Sequence, residues 1–130
     1  MFLASFVGSI IYLLATKMKR DVRDIQRRET IGGSYVAVKT GVDVSNLDPV
    51  LGRAIDVARS VGLSPVVTSA LRPDDTGSLH SEGLALDFRS HHLSYFESQQ
   101  VEKEMQEKLG NDWDVVLESN PEHFHVEYDP

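Results

Sequence analysis

The chain has 130 residues, 41% of them hydrophobic, which suits one domain of ordinary size with a real core. Its formal net charge of -7 argues against a nucleic-acid binder, because phosphate binding needs a cationic footprint, and favours a neutral or cationic substrate. With no cysteine, disulfides and thiolate metal sites are both excluded, so any metal must be held by histidine and carboxylate.

From Met1 to Thr16 there is no charge, and Phe2, Leu3, Phe6, Ile10, Ile11 and Leu13 dominate; Lys17, Lys19, Arg20 and Arg23 then arrive abruptly. Residues 1–18 are expected to form an apolar helix that anchors the chain in a membrane. The run is a little short of the roughly 20 residues of a spanning helix, but Met18 and a snorkelling Lys17 extend it. A cleavable signal would carry its charges ahead of the apolar run and end in small residues, and this segment does neither. Burial of the helix against a partner subunit is the other reading of an all-round apolar run. Basic residues directly after the helix favour the cytoplasm for the rest of the chain, whereas a cell-wall substrate requires the opposite side. The side of the membrane stays open, and no signal specifies an oligomeric state.

Residues 19–40 predict a basic stalk, helical through Val22 and Ile25, broken at Ile31-Gly32-Gly33-Ser34 and followed by a short strand from Tyr35 to Val38. A helix is expected from a cap at Ser45 or Asn46, with Leu51, Ala54, Ile55, Ala58 and Val61 at helical spacing and Gly62 as its end. A buried strand over residues 65–70 leads into a loop from Arg72 to Gly77, and residues 83–89 alternate as a second strand. Ser94 and Glu97 form a capping-box pair that opens a polar helix to Leu109, closed by Gly110. Two last strands, Trp113 to Glu118 and His123 to Tyr128, flank a Ser119-Asn120-Pro121 turn. The order predicts an α+β domain over residues 41–130, a small, mostly antiparallel sheet with flanking helices.

Strand parity sorts the polar residues. Leu84, Leu86 and Phe88 share one face and Asp87 takes the other; His123 and His125 share a face opposite Phe124 and Val126. His80 lies just before the Asp87 strand, and Gly83 allows the close turn that brings imidazole and carboxylate together. Histidines and a carboxylate are the donors of an open zinc site, in which three protein ligands leave a fourth position for water. His91 and His92 fall in a loop before a helix cap and read as solvated bystanders.

The segment Ser78-x-His80-x-x-Gly83-x-Ala85-x-Asp87, followed by His123-x-His125, resembles the zinc D-alanyl-D-alanine carboxypeptidases, the VanY-like enzymes and the phage L-alanyl-D-glutamate endopeptidases that cut peptidoglycan stem peptides. It also resembles the metal-binding fold of hedgehog proteins. The resemblance covers residues 41–130 and matches the first motif at every fixed position. It implies a zinc peptidase, bacterial or phage-encoded, with His80, Asp87 and His125 on the metal and His123 beside the reacting group; with the apolar run at 1–18 the expectation is a membrane-anchored enzyme. It also implies substrate contacts from Ser78 and from Arg72, whose guanidinium suits a carboxylate or a developing oxyanion. Two glutamates compete for the role of general base: Glu118 at the end of its strand is favoured, and Glu122, three residues before His125, is second. Glu82 and Glu127 are expected to face solvent. The reading from another class is a zinc-stabilised binding or virion-assembly module without hydrolysis, in which His123 closes the site as a fourth ligand.

Overall fold

The computed structural model describes residues 25–130. The expected anchor, 1–18, and the first part of the expected stalk lie outside the described residues. Among the described residues no helix is long and apolar enough to cross a membrane.

The elements are β1 (Ile25–Ile31), β2 (Ser34–Lys39), α1 (Leu51–Ser60), β3 (Val66–Ser69), β4 (Ala85–Arg89), α2 (Tyr95–Leu109), β5 (Trp113–Glu118) and β6 (His123–Tyr128). The strands form one six-stranded sheet in the order β1-β2-β3-β4-β6-β5. Only β2 and β3 pair in parallel, through a crossover that contains α1. The fold is α+β and mostly antiparallel, as expected.

The expected stalk is corrected by the first hairpin. No helix continues through Ile25; β1 and β2 pair antiparallel from Ile31↔Ser34 outward and extend the sheet by two strands. Gly32 and Gly33 both have positive φ, 55° and 83°, which is the requirement of a two-residue hairpin turn whose twist matches that of the strands. A helix-breaking signal was therefore a turn signal. Gly32 has a second constraint: a Cβ there would lie 1.9 Å from the carbonyl oxygen of Pro49, so the turn packs backbone to backbone on the approach to α1.

That approach also differs from expectation. Asn46 adopts a left-handed φ of 53° and does not cap a helix. The Asp43 carboxylate accepts from the Ser45 N–H and hydroxyl, and the Asp48 carboxylate accepts from the Val50 N–H at 2.9 Å. These local bonds hold residues 43–50 in turns, and α1 starts only at Leu51. Its Leu51, Ala54, Ile55 and Ala58 stripe is fully buried.

The α2 start is as expected: the Ser94 hydroxyl accepts from the Glu97 N–H, and the Glu97 carboxylate accepts from the Ser94 N–H. This helix buries Val101, Met105 and Leu109 and uses polar side chains to cover a sheet edge. Gln106 accepts from the Val115 N–H and donates to the Trp113 carbonyl, while Glu102 accepts from the Leu117 N–H. Three outward backbone groups of β5 are thereby satisfied, which blunts this edge as a template for pairing with another chain.

Both helices pack on one face of the sheet, against Val36, Val38, Val67, Leu86, Phe88, Phe124 and Val126. Among the described residues no helix covers the opposite face of β4, β5 and β6, and the polar side chains of those strands gather there.

Candidate metal centre

Cross-strand pairing builds the site. Partners directly opposite each other in an antiparallel ladder point to the same side. Asp87 on β4 pairs with His125 on β6, and His125 with Val116 on β5; one step along, Arg89 pairs with His123 and His123 with Glu118. Asp87, His123, His125 and Glu118 thus share one face. A bulge in β3 shifts the register so that Ser69 comes opposite Asp87.

His80 comes from the loop between β3 and β4. The Ser78 hydroxyl accepts from the His80 N–H at 3.1 Å, and the Arg72 N–H donates to the His80 carbonyl. Gly83 has φ 71°, and a Cβ there would lie 2.6 Å from the Asn46 carbonyl oxygen, so this turn is closed by backbone contact that only glycine permits. The result is a fully buried His80 beside a buried Asp87.

Each imidazole is committed at one nitrogen and faces carboxylate at the other. His80 Nδ1 lies 2.7 Å from the Ala70 carbonyl oxygen, which can only accept, so Nδ1 carries the hydrogen and Nε2 turns to Asp87 Oδ1 at 3.0 Å. His125 Nε2 lies 2.6 Å from Glu127 Oε1 and its Nδ1 lies 3.0 Å from the same Asp87 oxygen. Two imidazole nitrogens and one carboxylate oxygen converge; with both inner nitrogens unprotonated, their lone pairs would face one another. Only a cation, a proton or a metal ion, relieves that arrangement. His80, Asp87 and His125 form a group able to hold a metal ion, and carbonyl and carboxylate support of the outer nitrogens is the usual way in which ligating histidines are oriented.

Protons compete for the same lone pairs. Burial works against the Asp87 carboxylate, but hydrogen bonds from His125 and His80 outweigh it and hold the group well below the usual carboxylate range. The bond to Asp87, opposed by burial and reinforced by Glu127, pushes His125 up to about 9. At neutral pH His125 therefore holds a proton that a metal ion must displace. Metal added at pH 7 to chelator-treated protein is expected to release about one proton per chain, and affinity should fall about tenfold per pH unit below 9. Calorimetry in buffers of different ionisation enthalpy measures this; a heat independent of buffer would refute the displacement.

His123 stands apart from that trio. Its Nδ1 lies 2.7 Å from the Pro121 carbonyl oxygen, and its Nε2 is 2.8 Å from Glu118 Oε1 and 3.6 Å from Asp87 Oδ2. Glu118 Oε1 is also 4.0 Å from His125 Nδ1. Glu122 is directed elsewhere: its Oε1 accepts from the Ser90 and Ser98 hydroxyls, each at 3.2 Å, which ties the β5–β6 turn to α2.

A cleft of about 420 Å³ opens beside Asp87 and His123, lined also by Lys39, Thr68, Ser69, Arg72, Arg89, His91, Pro121 and Glu122. Arg72 stands in its wall and pairs with Asp75 at 3.2 Å. Ser78 is not part of the lining; its hydroxyl shapes the His80 turn. Three features escaped the sequence reading. His91 lines the cleft, Lys39 reaches it from β2, and Glu127 is not a solvent-facing bystander but supports His125. The Glu127 signal was present, since residues two apart on a strand share a face. Comparison with protein-family models, with curated proteins and with solved structures gives no match.

Proposed function

We propose that this protein is a zinc-dependent peptidase, bacterial or phage-encoded, that hydrolyses an amide bond in peptidoglycan stem peptides, with a hedgehog/DD-peptidase-like fold. The observation that carries the reading is the convergence of His80, Asp87 and His125 on one point with their outer nitrogens already engaged. Two ligand atoms about 2.0–2.1 Å from a tetrahedral zinc lie roughly 3.3 Å apart, and both nitrogen-to-Asp87 distances here are 3.0 Å. Among the described residues His123 groups with Asp87 and Glu118 and not with His80 and His125, and no fourth ligand joins the trio, which favours catalysis over a closed structural site. The peptidoglycan substrate comes from the resemblance of the two histidine motifs.

Zinc held there would supply Lewis acidity, acidifying water and polarising the scissile carbonyl. The chain supplies the rest. Glu118 takes a proton from the attacking water and returns it to the leaving amine. His123, anchored at Nδ1 by the Pro121 carbonyl, stands beside Glu118 and the reacting group. Arg72 exchanges its partner Asp75 for a substrate carboxylate or carbonyl oxygen. Lys39 and Arg72 bring cationic groups to a cleft wall that also holds the Asp87 and Glu122 carboxylates, and those two cations suit the carboxylate of a stem peptide.

The test is incubation of the full chain, in detergent with zinc, with purified muropeptides, followed by assay of new amino groups and free D-alanine. Chelator-sensitive release of either is expected. Zinc-loaded protein that releases neither would overturn the reading.

A further inference from the structure

The second donor group in the cleft is not accounted for by a one-ion site. Asp87 divides its oxygens: Oδ1 faces His80 and His125, while Oδ2 faces His123. His123 Nδ1 donates to the Pro121 carbonyl, which cannot donate in return, so the Nε2 lone pair is aimed at two carboxylate oxygens, Glu118 Oε1 at 2.8 Å and Asp87 Oδ2 at 3.6 Å. These distances bracket the roughly 3.3 Å edge of a tetrahedral zinc site. Asp87, Glu118 and His123 form a group of their own that is able to hold an ion.

We propose that Glu118, His123 and Asp87 Oδ2 form a second, weaker divalent-cation site that shares Asp87 with the first, and that filling it withdraws Glu118 from proton transfer. A carboxylate placed between two donor sets is the usual link in paired-metal centres, where the ions lie about 3.5–4 Å apart. Relative affinity follows from environment. The side chains of His80, Asp87 and His125 are 0%, 8% and 13% exposed, whereas His123 is 19% and Glu118 47% exposed. Ligands that remain solvated and mobile gain less on binding, and His123 is supported by a neutral carbonyl where His125 has the Glu127 carboxylate. The first ion therefore enters the buried trio, and the second occupies the open one only at higher concentration. The regulatory consequence rests on the proposed hydrolase activity; the site itself does not.

The experiment is a zinc titration of the chelator-treated full chain by calorimetry, with metal analysis at each plateau. Two steps are expected, the second weaker by about tenfold or more. His123→Ala and Glu118→Gln should each keep the first step and lose the second, with melting curves by circular dichroism checking that both variants fold. A single step in the wild-type chain up to millimolar zinc overturns the proposal. So does a second step of unchanged affinity in both folded variants, which would place it elsewhere, for example at Asp114, Glu127 and Asp129. If muropeptide hydrolysis is measurable, it should decline along the second step; activity that is indifferent to that step overturns the regulatory half. Two steps in a chain without hydrolase activity would uphold the site and refute only the proposed function.

Discussion

Asp87→Ala is expected to abolish metal binding, taking the metal content from about one tightly held ion per chain to none. Asp87 is the residue on which both ligating histidines converge, 3.0 Å from each, and it is the only carboxylate in the trio. Without it, the trio contains no carboxylate to offset the charge of a divalent ion in a buried setting, where an uncompensated charge is costly, and the carboxylate that remains nearest His125 Nδ1, Glu118, lies 4.0 Å from it. Asp87→Asn tests charge apart from shape, and it too should lose tight binding, because an amide oxygen carries no formal charge. Glu127→Gln is the graded case: the support of His125 is weakened but not removed, so affinity should fall about 10–100-fold. Glu82 is exposed and outside the trio, and Glu82→Gln should change nothing. Metal analysis after dialysis against a weak chelator distinguishes these outcomes. Full metal content in Asp87→Ala would remove the site from consideration.

The second large effect concerns the base. Glu118→Gln is expected to lower kcat by about 10²–10⁴-fold, the usual contribution of a positioned proton carrier, while Glu122→Gln leaves most of it. Both glutamates lie within a few residues of the ligating histidine, so proximity along the chain does not separate them. Glu118 points to the face of His123 and His125, because it pairs with His123 across the ladder. Glu122 follows the turn and directs its carboxylate to Ser90 and Ser98. Glu122→Gln keeps an oxygen that accepts from both hydroxyls and only weakens those bonds, so its effect should be a small loss of stability at the β5–β6 turn and not a lost proton carrier. Both variants must retain zinc at the tight site for the comparison to hold. Full turnover in Glu118→Gln together with a dead Glu122→Gln would reverse the assignment.

How far the sequence could be read depended on the range of the interactions involved. The β4 and β6 faces followed from alternation alone, since Leu86, Phe88, Phe124 and Val126 could only be the buried sides of their strands. The α2 cap followed from Ser94 and Glu97, three residues apart, because its bonds are made within one turn. The β1–β2 hairpin was missed because a Gly-Gly pair that interrupts a basic segment looks the same whether it ends a helix or turns a hairpin. The choice is made by packing, with Gly32 against Pro49 and Ile31, Val36 and Val38 in the core. The late start of α1 was missed for a related reason: Ser45 and Asn46 are good caps in isolation, but Asp43 engages Ser45 first and Asn46 adopts a left-handed conformation.

Sequence by itself determined which residues can hold a cation and which faces they occupy, because donor chemistry belongs to the residue and parity to the strand. His80, Asp87, His123 and His125 were legible on that basis. Tertiary structure alone decided how the donors group. Asp87 directs one oxygen to His80 and His125 and the other to His123, Glu118 and not Glu122 joins them, and Glu127 steadies His125. Those outcomes depend on strand register and on the bend at the β5–β6 turn, which place atoms to within an ångström. Sequence spacing resolves position only to a residue.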